Sequence, residues 1–398
     1  MVIRNSSRFS LSFYLPYARQ TITEADIAAV VDVLHSPIIT QGAAIPAFEQ
    51  VISRTVGASH SVAVNSGTSA LHIACLALDL GPGDYLWTST ITFVASANCG
   101  RYCGAEVDFV DIDPNTGLMS IEALNAKLQQ AELKGRLPKV LVPVHLTGAS
   151  CDMAAIAALA KRYDFAVLED ASHAIGASYR GEPVGNCRYS NICVFSFHPV
   201  KIITTGEGGL ATTNDSELAI RMADLRSHGI TKVANRFKRT APGPWSYEQQ
   251  ELGFNYRLTD FQAALGLSQL ERIEQIVAER RRLREVYCKL LAPLPVRLLE
   301  IPADVLSALH LAVIRLNAVD PALHSHVFEG FRAAGIGVQL HYSPVHLQPY
   351  YRQFGFSEGD FPEAEAYALN AISLPLFPGL LSHQQDWVVE VLANLLMP

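Results

Sequence analysis

Apolar and polar positions alternate along residues 61–213 in a repeating order of short strands and amphipathic helices. Short apolar runs that end in turn residues are typical of strands buried on both faces. The segments between them repeat their apolar residues every three or four positions, as helices do. This order predicts an α/β fold with a mostly parallel sheet covered by helices on both faces. The predicted strands are 61–65, 85–88, 107–112, 140–146, 165–169, 192–197 and an edge strand at 209–213, with helices at 69–80, 93–100 and 153–163.

The pattern changes after residue 213. Residues 214–250 are less regular, and the Pro- and Gly-rich stretch 240–245 predicts a loop. From 259 to about 290 the apolar spacing is helical and predicts one long connecting helix. The remainder predicts a small α+β domain with strands at 311–316 and 338–342 and helices at 321–334, 362–371 and 381–396. We therefore divide the chain into a large domain, residues 14–260, and a connecting helix with a small C-terminal domain, residues 261–398.

Composition and charge exclude several classes of protein. A chain of 398 residues, 49% hydrophobic and 17% charged, is too large for one simple core and forms a compact globule. The net charge of −7 argues against nucleic-acid binding, and the basic run 279–284 is typical of a solvated helix face. No apolar run is long enough to span a bilayer, and no stretch resembles a signal peptide. The seven scattered cysteines predict free thiols and no metal centre. We expect a cytoplasmic protein.

Two polar residues follow predicted strands at positions that favour cofactor chemistry. Lys201 comes after the predicted strand 192–197 and before a Gly-rich turn, and Asp170 ends the apolar run that begins at Phe165. In open α/β sheets, ligands bind at the carboxyl ends of the strands. Pyridoxal 5′-phosphate (PLP) requires a lysine amine to hold its aldehyde and a carboxylate to keep its ring nitrogen protonated. Plainer interpretations stay open, because most lysines lie on surfaces and an aspartate here can cap a helix.

Three further positions could complete such a site. The segment 65–70 joins a strand to a helix, so its glycine and the following amides can form an anion cradle, although ordinary helix capping has the same signature. Phe93 could stack on a cofactor ring, but a core aromatic is the plainer interpretation. Glu169 is a rival to Asp170. Because side chains alternate along a strand, only one of the two can face a ligand.

Taken together, these motifs resemble the DegT/DnrJ-type nucleotide-sugar aminotransferases. The resemblance runs from Thr40 to Pro344 and so covers nearly the whole chain. It implies the type I PLP-dependent aminotransferase fold, with a large domain and a small C-terminal one. The matching motifs are NSGTSAL (65–71), TFVASAN (92–98), EDASHAIG (169–176), the segment around Lys201, RSHG (226–229) and GFNYRL (253–258).

The resemblance also implies roles for single residues. It implies that Lys201 holds PLP covalently and that Asp170 pairs with the ring nitrogen, and that family members are homodimers with a shared site. The implied cofactor contacts are Phe93 on the ring, His173 at the ring hydroxyl, Gly67, Thr68 and Ser196 at the phosphate, and Asn255 at the phosphate of the neighbouring subunit. The implied sugar contacts are Tyr17, His341 and Tyr342. Candidate cations for a UDP group are Arg226, Lys232, Arg236, Lys238 and Arg257.

Within the family, the chain is most similar to the C4 transaminases of pseudaminic acid biosynthesis. The resemblance therefore implies transfer of an amino group from L-glutamate to C4 of a UDP-linked 4-keto-6-deoxy-N-acetylhexosamine. Three alternatives stay open: an aminotransferase for another keto sugar or for C3, a cofactor-dependent sugar dehydratase, and a non-catalytic regulator. The dehydratases carry histidine at the lysine position, so Lys201 argues against that activity. The intact lysine and aspartate argue against a regulator.

Overall fold

The computed structural model describes residues 14–397. Its strands are β1 (His60–Val64), β2 (Tyr85–Ser89), β3 (Glu106–Val110), β4 (Val140–Val142), β5 (Ala166–Asp170), β6 (Ser178–Tyr179), β7 (Glu182–Pro183), β8 (Ile192–Ser196), β9 (Gly209–Thr213), β10 (Ile230–Thr231), β11 (Glu248–Gln249), β12 (Val296–Leu298), β13 (Val305–Leu306), β14 (Ala312–Leu316) and β15 (Ala371–Leu374). Its α-helices are α1 (Glu24–His35), α2 (Ala44–Val56), α3 (Gly67–Ala77), α4 (Ala95–Tyr102), α5 (Ile121–Lys134), α6 (Met153–Tyr163), α7 (Ser216–Arg226), α8 (Asp260–Leu270), α9 (Ile273–Leu291), α10 (Pro321–Ala333), α11 (Pro349–Arg352), α12 (Pro362–Ala368) and α13 (Ser382–Leu396).

A seven-stranded sheet forms the centre of the molecule, in the order β1-β9-β8-β5-β4-β2-β3. The pairs from β8 to β3 are parallel, and β9 runs antiparallel to both of its neighbours. Six of these seven strands therefore point the same way, which confirms the predicted α/β class with a mostly parallel sheet. The β4 strand is buried throughout, as expected for a sheet covered on both faces.

The helices pack on this sheet through apolar faces with helical spacing. In α2 the buried residues Ile45, Phe48, Ile52 and Val56 recur every three or four positions, so one face contacts α8 and β1. Two apolar clusters pack against the large sheet. Among residues 14–397, no helix has both the length and the apolar character required to cross a bilayer.

A second, three-stranded sheet lies in the C-terminal part, in the order β12-β14-β15. It is antiparallel and packs with α9, α10 and α13 around a third apolar cluster. The N-terminal segment reaches this region, because Leu15 pairs with Ile336 and the Leu376 amide donates to the Tyr17 carbonyl. The division of the chain at residue 260 stays a prediction.

The predicted edge strand at 209–213 is wrong, because β9 lies between β1 and β8. This strand carries two threonines, Thr212 and Thr213. Both are buried, and their hydroxyls donate to backbone carbonyls: Thr212 to Gly185 at 2.8 Å and Thr213 to Asn191 at 2.7 Å. Internal hydrogen bonds therefore let a polar strand lie inside the sheet.

The predicted connecting helix is also wrong as a single element, because it is divided into α8 and α9. The break between these two helices lies beside the fully buried Asp26. The Asp26 carboxylate accepts hydrogen bonds from Ser268 at 2.6 Å, Gln269 at 2.9 Å and Arg272 at 2.9 Å. Two smaller predictions fail in the same C-terminal half. Residues 338–342 make one isolated bridge and no strand, and the helix predicted at 362–371 ends at Ala368, before β15. The predicted loop at 240–245 is confirmed.

Candidate active site

The strands β1, β5 and β8 point the same way, so their carboxyl ends meet at one edge of the large sheet. A cavity of about 710 Å³ opens at this edge. Of the sixteen residues predicted for the site, ten line the cavity: Tyr17, Gly67, Thr68, Phe93, Asp170, His173, Ser196, Lys201, His341 and Tyr342. The structure thus brings together residues that are up to 325 positions apart in the chain (342 − 17).

An anion cradle forms where α3 begins. Ser66 caps the helix by accepting the Ser69 amide at 3.1 Å. As the first two helical residues, Gly67 and Thr68 have amides without intrahelical acceptors, and they lie at the positive end of the helix dipole. A Cβ atom on Gly67 would lie 3.0 Å from the Ser196 Cβ atom. The missing side chain therefore lets the backbone of α3 approach the end of β8 closely enough for both to hold one phosphate group.

Lys201 follows β8 by five residues (201 − 196) and reaches the same cavity. Burial lowers the pKa of its amine from 10.5 to about 8, against the opposing charge of Asp170. A lysine with this pKa has a substantial neutral fraction near neutral pH. The neutral amine is the form that can attack an aldehyde or accept a proton.

The lowered pKa of Lys201 predicts a pH-dependent stability in the protein without cofactor. Between about pH 8 and 10.5 the unfolded chain binds the lysine proton and the folded chain does not. The free-energy penalty of burying the protonated amine therefore falls as pH rises through that window. Below pH 8 the penalty is complete. We expect Lys201→Met to raise the free energy of unfolding by about 2 kcal/mol more at pH 7 than at pH 10.5, since the amine borders an open cavity.

Urea unfolding of both proteins at a series of pH values measures this difference. Identical pH dependence of the free energy of unfolding in wild type and Lys201→Met would show that the amine is not desolvated.

Asp170 and Glu169 point in different directions, as alternation along β5 requires. Asp170 lines the cavity and accepts the Ser96 hydroxyl at 2.6 Å and the Ser172 amide at 3.1 Å. Glu169 is buried away from the cavity and accepts from Ser190 and from His145 Nε2, the latter at 2.7 Å. Of the two carboxylates, Asp170 is therefore the one that can contact a ligand.

The side chains of His173, His341 and Tyr342 also line the cavity. His173 Nε2 and the Tyr342 hydroxyl lie 3.1 Å apart. Burial, reinforced by the charges of Lys201 and His341, lowers the pKa of His173 well below its usual range. Burial and Lys201 also lower the pKa of His341 to about 3. These imidazoles are therefore neutral at physiological pH and act as hydrogen-bond partners, not as cations.

Aromatic rings form part of the cavity wall. The rings of Tyr17 and His341 lie 5.3 Å apart, and those of Phe93 and Tyr342 lie 6.0 Å apart. His341 is oriented by Ser373, whose hydroxyl lies 2.8 Å from Nδ1. Phe93 is 57% exposed, so the plainer interpretation of a core aromatic is wrong and its ring is free to contact a ligand.

Six predicted residues are not among the described residues that line the cavity: Arg226, Lys232, Arg236, Lys238, Asn255 and Arg257. Arg226 Nη1 donates to Glu49 at 2.6 Å and to the Ala63 carbonyl at 2.7 Å, so its guanidinium is engaged inside the fold. Its predicted contact with the substrate stays a prediction. Asn255 is exposed and pairs with Ser227. Its predicted role concerns a neighbouring subunit and stays a prediction.

Sequence reasoning missed three titratable residues in the cavity wall: His198, Glu207 and His310. The signal for His310 was present, because a lone histidine interrupts the apolar run 308–314. Its ring centroid lies 4.4 Å from that of His173, and its Nδ1 is buried without a hydrogen-bond partner. His198 and Glu207 lie in the motif around Lys201, in which Lys201 and Ser196 were predicted as site residues.

The donor set of this cavity fits PLP. The α3 amides with Ser196 suit its phosphate, Lys201 suits its aldehyde, Asp170 suits its ring nitrogen and Phe93 suits its ring face. The close approach of Gly67 to Ser196, which a Cβ would obstruct, is the specific observation behind the phosphate assignment.

Comparison with known sequences gives a consistent picture. The model of the DegT/DnrJ/EryC1/StrS aminotransferase family matches residues 20–393. The spore coat polysaccharide biosynthesis protein SpsC of Bacillus subtilis (strain 168) is 37% identical over 387 residues, which cover 96% of this chain and 97% of SpsC. Both comparisons span nearly the whole chain.

Solved structures agree with the observed architecture. The Streptococcus pneumoniae protein Spr1654, described as a sugar aminotransferase, superposes in its PMP form with a TM-score of 0.88 and 30% identity, covering 96% of this chain and 98% of that one. Its PLP form gives a TM-score of 0.87 at 28% identity, covering 97% and 100% of the two chains. Helicobacter pylori PseC, an aminotransferase of pseudaminic acid biosynthesis, gives a TM-score of 0.87 at 29% identity, covering 96% and 99%.

Proposed function

The chain belongs to the DegT/DnrJ/EryC1/StrS aminotransferase family, and we propose that it transfers an amino group from L-glutamate to C4 of a UDP-linked 4-keto-6-deoxy-N-acetylhexosamine, a precursor of pseudaminic acid. That it is a PLP-dependent sugar aminotransferase follows from the family. The finer assignment is supported by the similarity to PseC. The observation that supports this chemistry most directly is that Lys201, Asp170 and the start of α3 all line one cavity.

The residues that bind the cofactor are proposed from this convergence. Gly67 and Thr68 donate their amides to the phosphate, and the Ser196 hydroxyl completes the cradle. Asp170 accepts a hydrogen bond from the protonated ring nitrogen, and His173 contacts the ring hydroxyl. Bound PLP supplies a ring that accepts electrons from the carbon whose amino group is exchanged.

Lys201 performs two tasks in the proposed reaction. Its Nζ atom would hold the cofactor covalently at rest, and the released amine would accept the proton from the α-carbon of L-glutamate. The pKa of about 8 suits both tasks, because the amine can gain and lose a proton near physiological pH. The same proton transfers run in reverse on the sugar, so ping-pong kinetics are expected.

The cavity alone supplies too few positive charges for these substrates. Among the described residues that line it, Lys201 is the single lysine or arginine. L-Glutamate carries two carboxylates and a UDP-sugar carries a diphosphate, which require cationic partners. We propose that a second copy of the chain supplies them. Asn255, exposed and outside the cavity of its own chain, then reaches the phosphate in the partner's site.

An exposed apolar stripe supports this homodimer. Ile27, Val31 and Leu34 on α1, followed by Ile38 and Ile39, are all exposed, and the positions 27, 31 and 34 follow helical spacing. Contiguous exposed apolar surface of this kind marks protein–protein contacts. Phe93 is also exposed, so the cavity opens toward surface that a second subunit can cover. We propose that α1 lies in the dimer interface.

Leu34→Glu tests the interface. Leu34 is 54% exposed, and we expect the charge to raise the dimer dissociation constant about a hundredfold or more, because each symmetric dimer would bury two of these carboxylates. Light scattering after size exclusion measures the mass, and PLP affinity should fall with the dimer. Leu133→Glu is the matched control, since Leu133 lies on α5 and is 89% exposed. A dimeric Leu34→Glu protein would exclude α1 from the interface.

A second candidate function is favoured by the 37% identity to SpsC. In that case the chain aminates another nucleotide-linked keto sugar, at C4 or C3, with the same residues acting on the amino group. The structure of the cavity is compatible with either sugar, because its walls present neutral imidazole and aromatic side chains. We also propose a cytoplasmic location, which the seven free cysteines support.

The substrate is identified by incubating the protein with PLP, L-glutamate and a panel of UDP-linked 4-keto and 3-keto hexosamines, with NMR of the products. The proposal expects amination at C4 of the 4-keto-6-deoxy-N-acetylhexosamine, with kcat/KM at least about tenfold above every other sugar. Preference for a different keto sugar supports the second candidate. Absence of 2-oxoglutarate from L-glutamate contradicts the proposed amino donor.

A further inference from the structure

A chain of two hydroxyl groups ends on the Asp170 carboxylate. Ser96 Oγ lies 2.6 Å from Asp170 Oδ2, and Thr92 Oγ1 lies 2.7 Å from Ser96 Oγ. Ser96 and Thr92 are almost completely buried, at 0% and 1% exposure, and neither has been assigned a role so far. Ser96 is not among the described residues that line the cavity, whereas Thr92 and Asp170 are, so Ser96 holds the carboxylate from outside the cavity.

The direction of the hydrogen bonds follows from proton counting. An ionised carboxylate only accepts, so the single Ser96 hydroxyl hydrogen points at Asp170 Oδ2. Thr92 must then donate to Ser96, because Ser96 has no second hydrogen. The Ser96–Asp170 distance of 2.6 Å is typical of a charge-assisted O–H···O⁻ bond. The hydrogen bond that Ser96 accepts from Thr92 polarises the Ser96 hydroxyl and so strengthens its bond to Asp170.

The two oxygens of Asp170 are held from different sides. Oδ2 accepts from Ser96, and Oδ1 accepts from the Ser172 amide at 3.1 Å. Rotation of the carboxylate would break both bonds, so its plane is set before any ligand arrives. Each oxygen keeps a further lone pair, and one of these can accept a hydrogen bond from a ligand in the cavity.

The same short segment carries the residue that contacts the ring face. Phe93 follows Thr92 directly and lies three residues before Ser96, near the start of α4. A shift of this segment would move the ring contact and the carboxylate's partner together. The hydroxyl chain therefore couples the position of Phe93 to the orientation of Asp170.

We propose that Ser96, itself held by Thr92, is a positioning residue that keeps the Asp170 carboxylate aimed at the ring nitrogen of PLP. The inference rests on the proposed role of Asp170 in the site. It does not depend on which sugar is the substrate, because its consequences appear when the cofactor binds and when L-glutamate reacts.

The test uses the PLP-loaded enzyme and four substitutions. Ser96→Ala removes the donor to Asp170, Ser96→Thr retains a hydroxyl, Thr92→Val removes the distal donor without changing side-chain shape much, and Thr92→Ser retains it. The readouts are the ¹⁵N chemical shift of the ring nitrogen in labelled PLP, the PLP dissociation constant and the rate of 2-oxoglutarate release from L-glutamate. Unfolding curves confirm that each variant is folded.

We expect Ser96→Ala to shift the ring ¹⁵N signal toward the unprotonated value and to slow 2-oxoglutarate release about ten- to a hundredfold. Thr92→Val should cause a smaller loss, about three- to tenfold, and both hydroxyl-retaining variants should stay near wild type. Because Thr92 acts through Ser96, the double variant Thr92→Val/Ser96→Ala should be no worse than Ser96→Ala alone.

Thr90→Val is the matched control. Thr90 lies in the same segment, is fully buried, and its hydroxyl has no hydrogen-bond partner, so its loss should leave the ring ¹⁵N shift unchanged. An unchanged shift and PLP affinity in folded Ser96→Ala would overturn the proposal, as would additive losses in the double variant. If Ser96→Ala does not fold, Thr92→Val provides the test. An unchanged ring ¹⁵N shift and PLP affinity in folded Thr92→Val would then overturn the proposal. If Asp170→Asn also leaves the shift unchanged, the role of Asp170 fails instead.

Discussion

Lys201→Ala is expected to lose the visible absorption of covalently bound PLP and to lower turnover by at least about 10⁴-fold. The substitution removes both the atom that holds the aldehyde and the base that moves the proton, and general base catalysis alone contributes about 10²- to 10⁴-fold. The structure gives no substitute, since Lys201 is the single lysine or arginine among the described residues that line the cavity. Spectra after desalting and single-turnover rates with L-glutamate measure the two effects separately.

Two variants make the Lys201 result specific. Lys161→Ala changes an exposed lysine in the last turn of α6 and should leave absorption and rate unchanged. Lys201→Arg keeps the positive charge but not the reactive amine, so it should behave like the alanine variant. Added methylamine should restore part of the rate to Lys201→Ala by supplying a base. Covalent cofactor and normal turnover in Lys201→Ala would assign the chemistry to another group.

The sheet and most of the site could be predicted because both have local signatures. Apolar runs reveal buried strands, and polar residues at the ends of such runs point to the carboxyl edge of a parallel sheet. Asp170 ends β5, so its placement followed from strand assignment, whereas Ser196, which ends β8, was predicted from the family resemblance. The structure adds the distances and shows that the beginning of α3 meets the same edge.

Features that depend on distant partners could not be predicted. β9 lies inside the sheet because it pairs with β1 and β8. Its threonines form internal hydrogen bonds that the local sequence pattern does not reveal. Arg226 was expected at the substrate because it is a cation in a matching motif. Its partner Glu49 lies 177 residues away, and only the fold reveals that pair. The break between α8 and α9 likewise depends on Asp26, more than 240 residues earlier.

The hydroxyl chain behind Asp170 shows a different limit. Ser96 and Thr92 are common small residues near a helix start, where capping is the ordinary interpretation. Neither caps α4 in the structure, whose N-cap residue is Val94 without a side-chain hydrogen bond. Their role depends on a contact across 74 residues, between Ser96 and Asp170. Residues that act through others carry no signal in sequence until their partner's position is known.

Asp170→Asn should lower kcat/KM for L-glutamate about 10²- to 10³-fold, with PLP still bound. The amide has nearly the same shape but cannot keep a ring nitrogen protonated, so the ring loses its capacity to accept electrons. Loss of one charge from a buried pair costs about 3–5 kcal/mol, which corresponds to this range or more. The neighbouring carboxylate provides the control. Glu169→Gln disturbs buried bonds to His145 and Ser190 and should lower the free energy of unfolding by about 1–3 kcal/mol.

The two variants should therefore separate chemistry from stability. Asp170→Asn should change the ring ¹⁵N shift and the pH dependence of the rate, whereas Glu169→Gln should change the urea midpoint and leave the ring shift as in wild type. Side-chain alternation along β5 is the physical reason, since it turns one carboxylate to the cavity and the other into the core. The reverse outcome, with normal kinetics in Asp170→Asn and a changed ring shift in Glu169→Gln, would assign the ring nitrogen to Glu169.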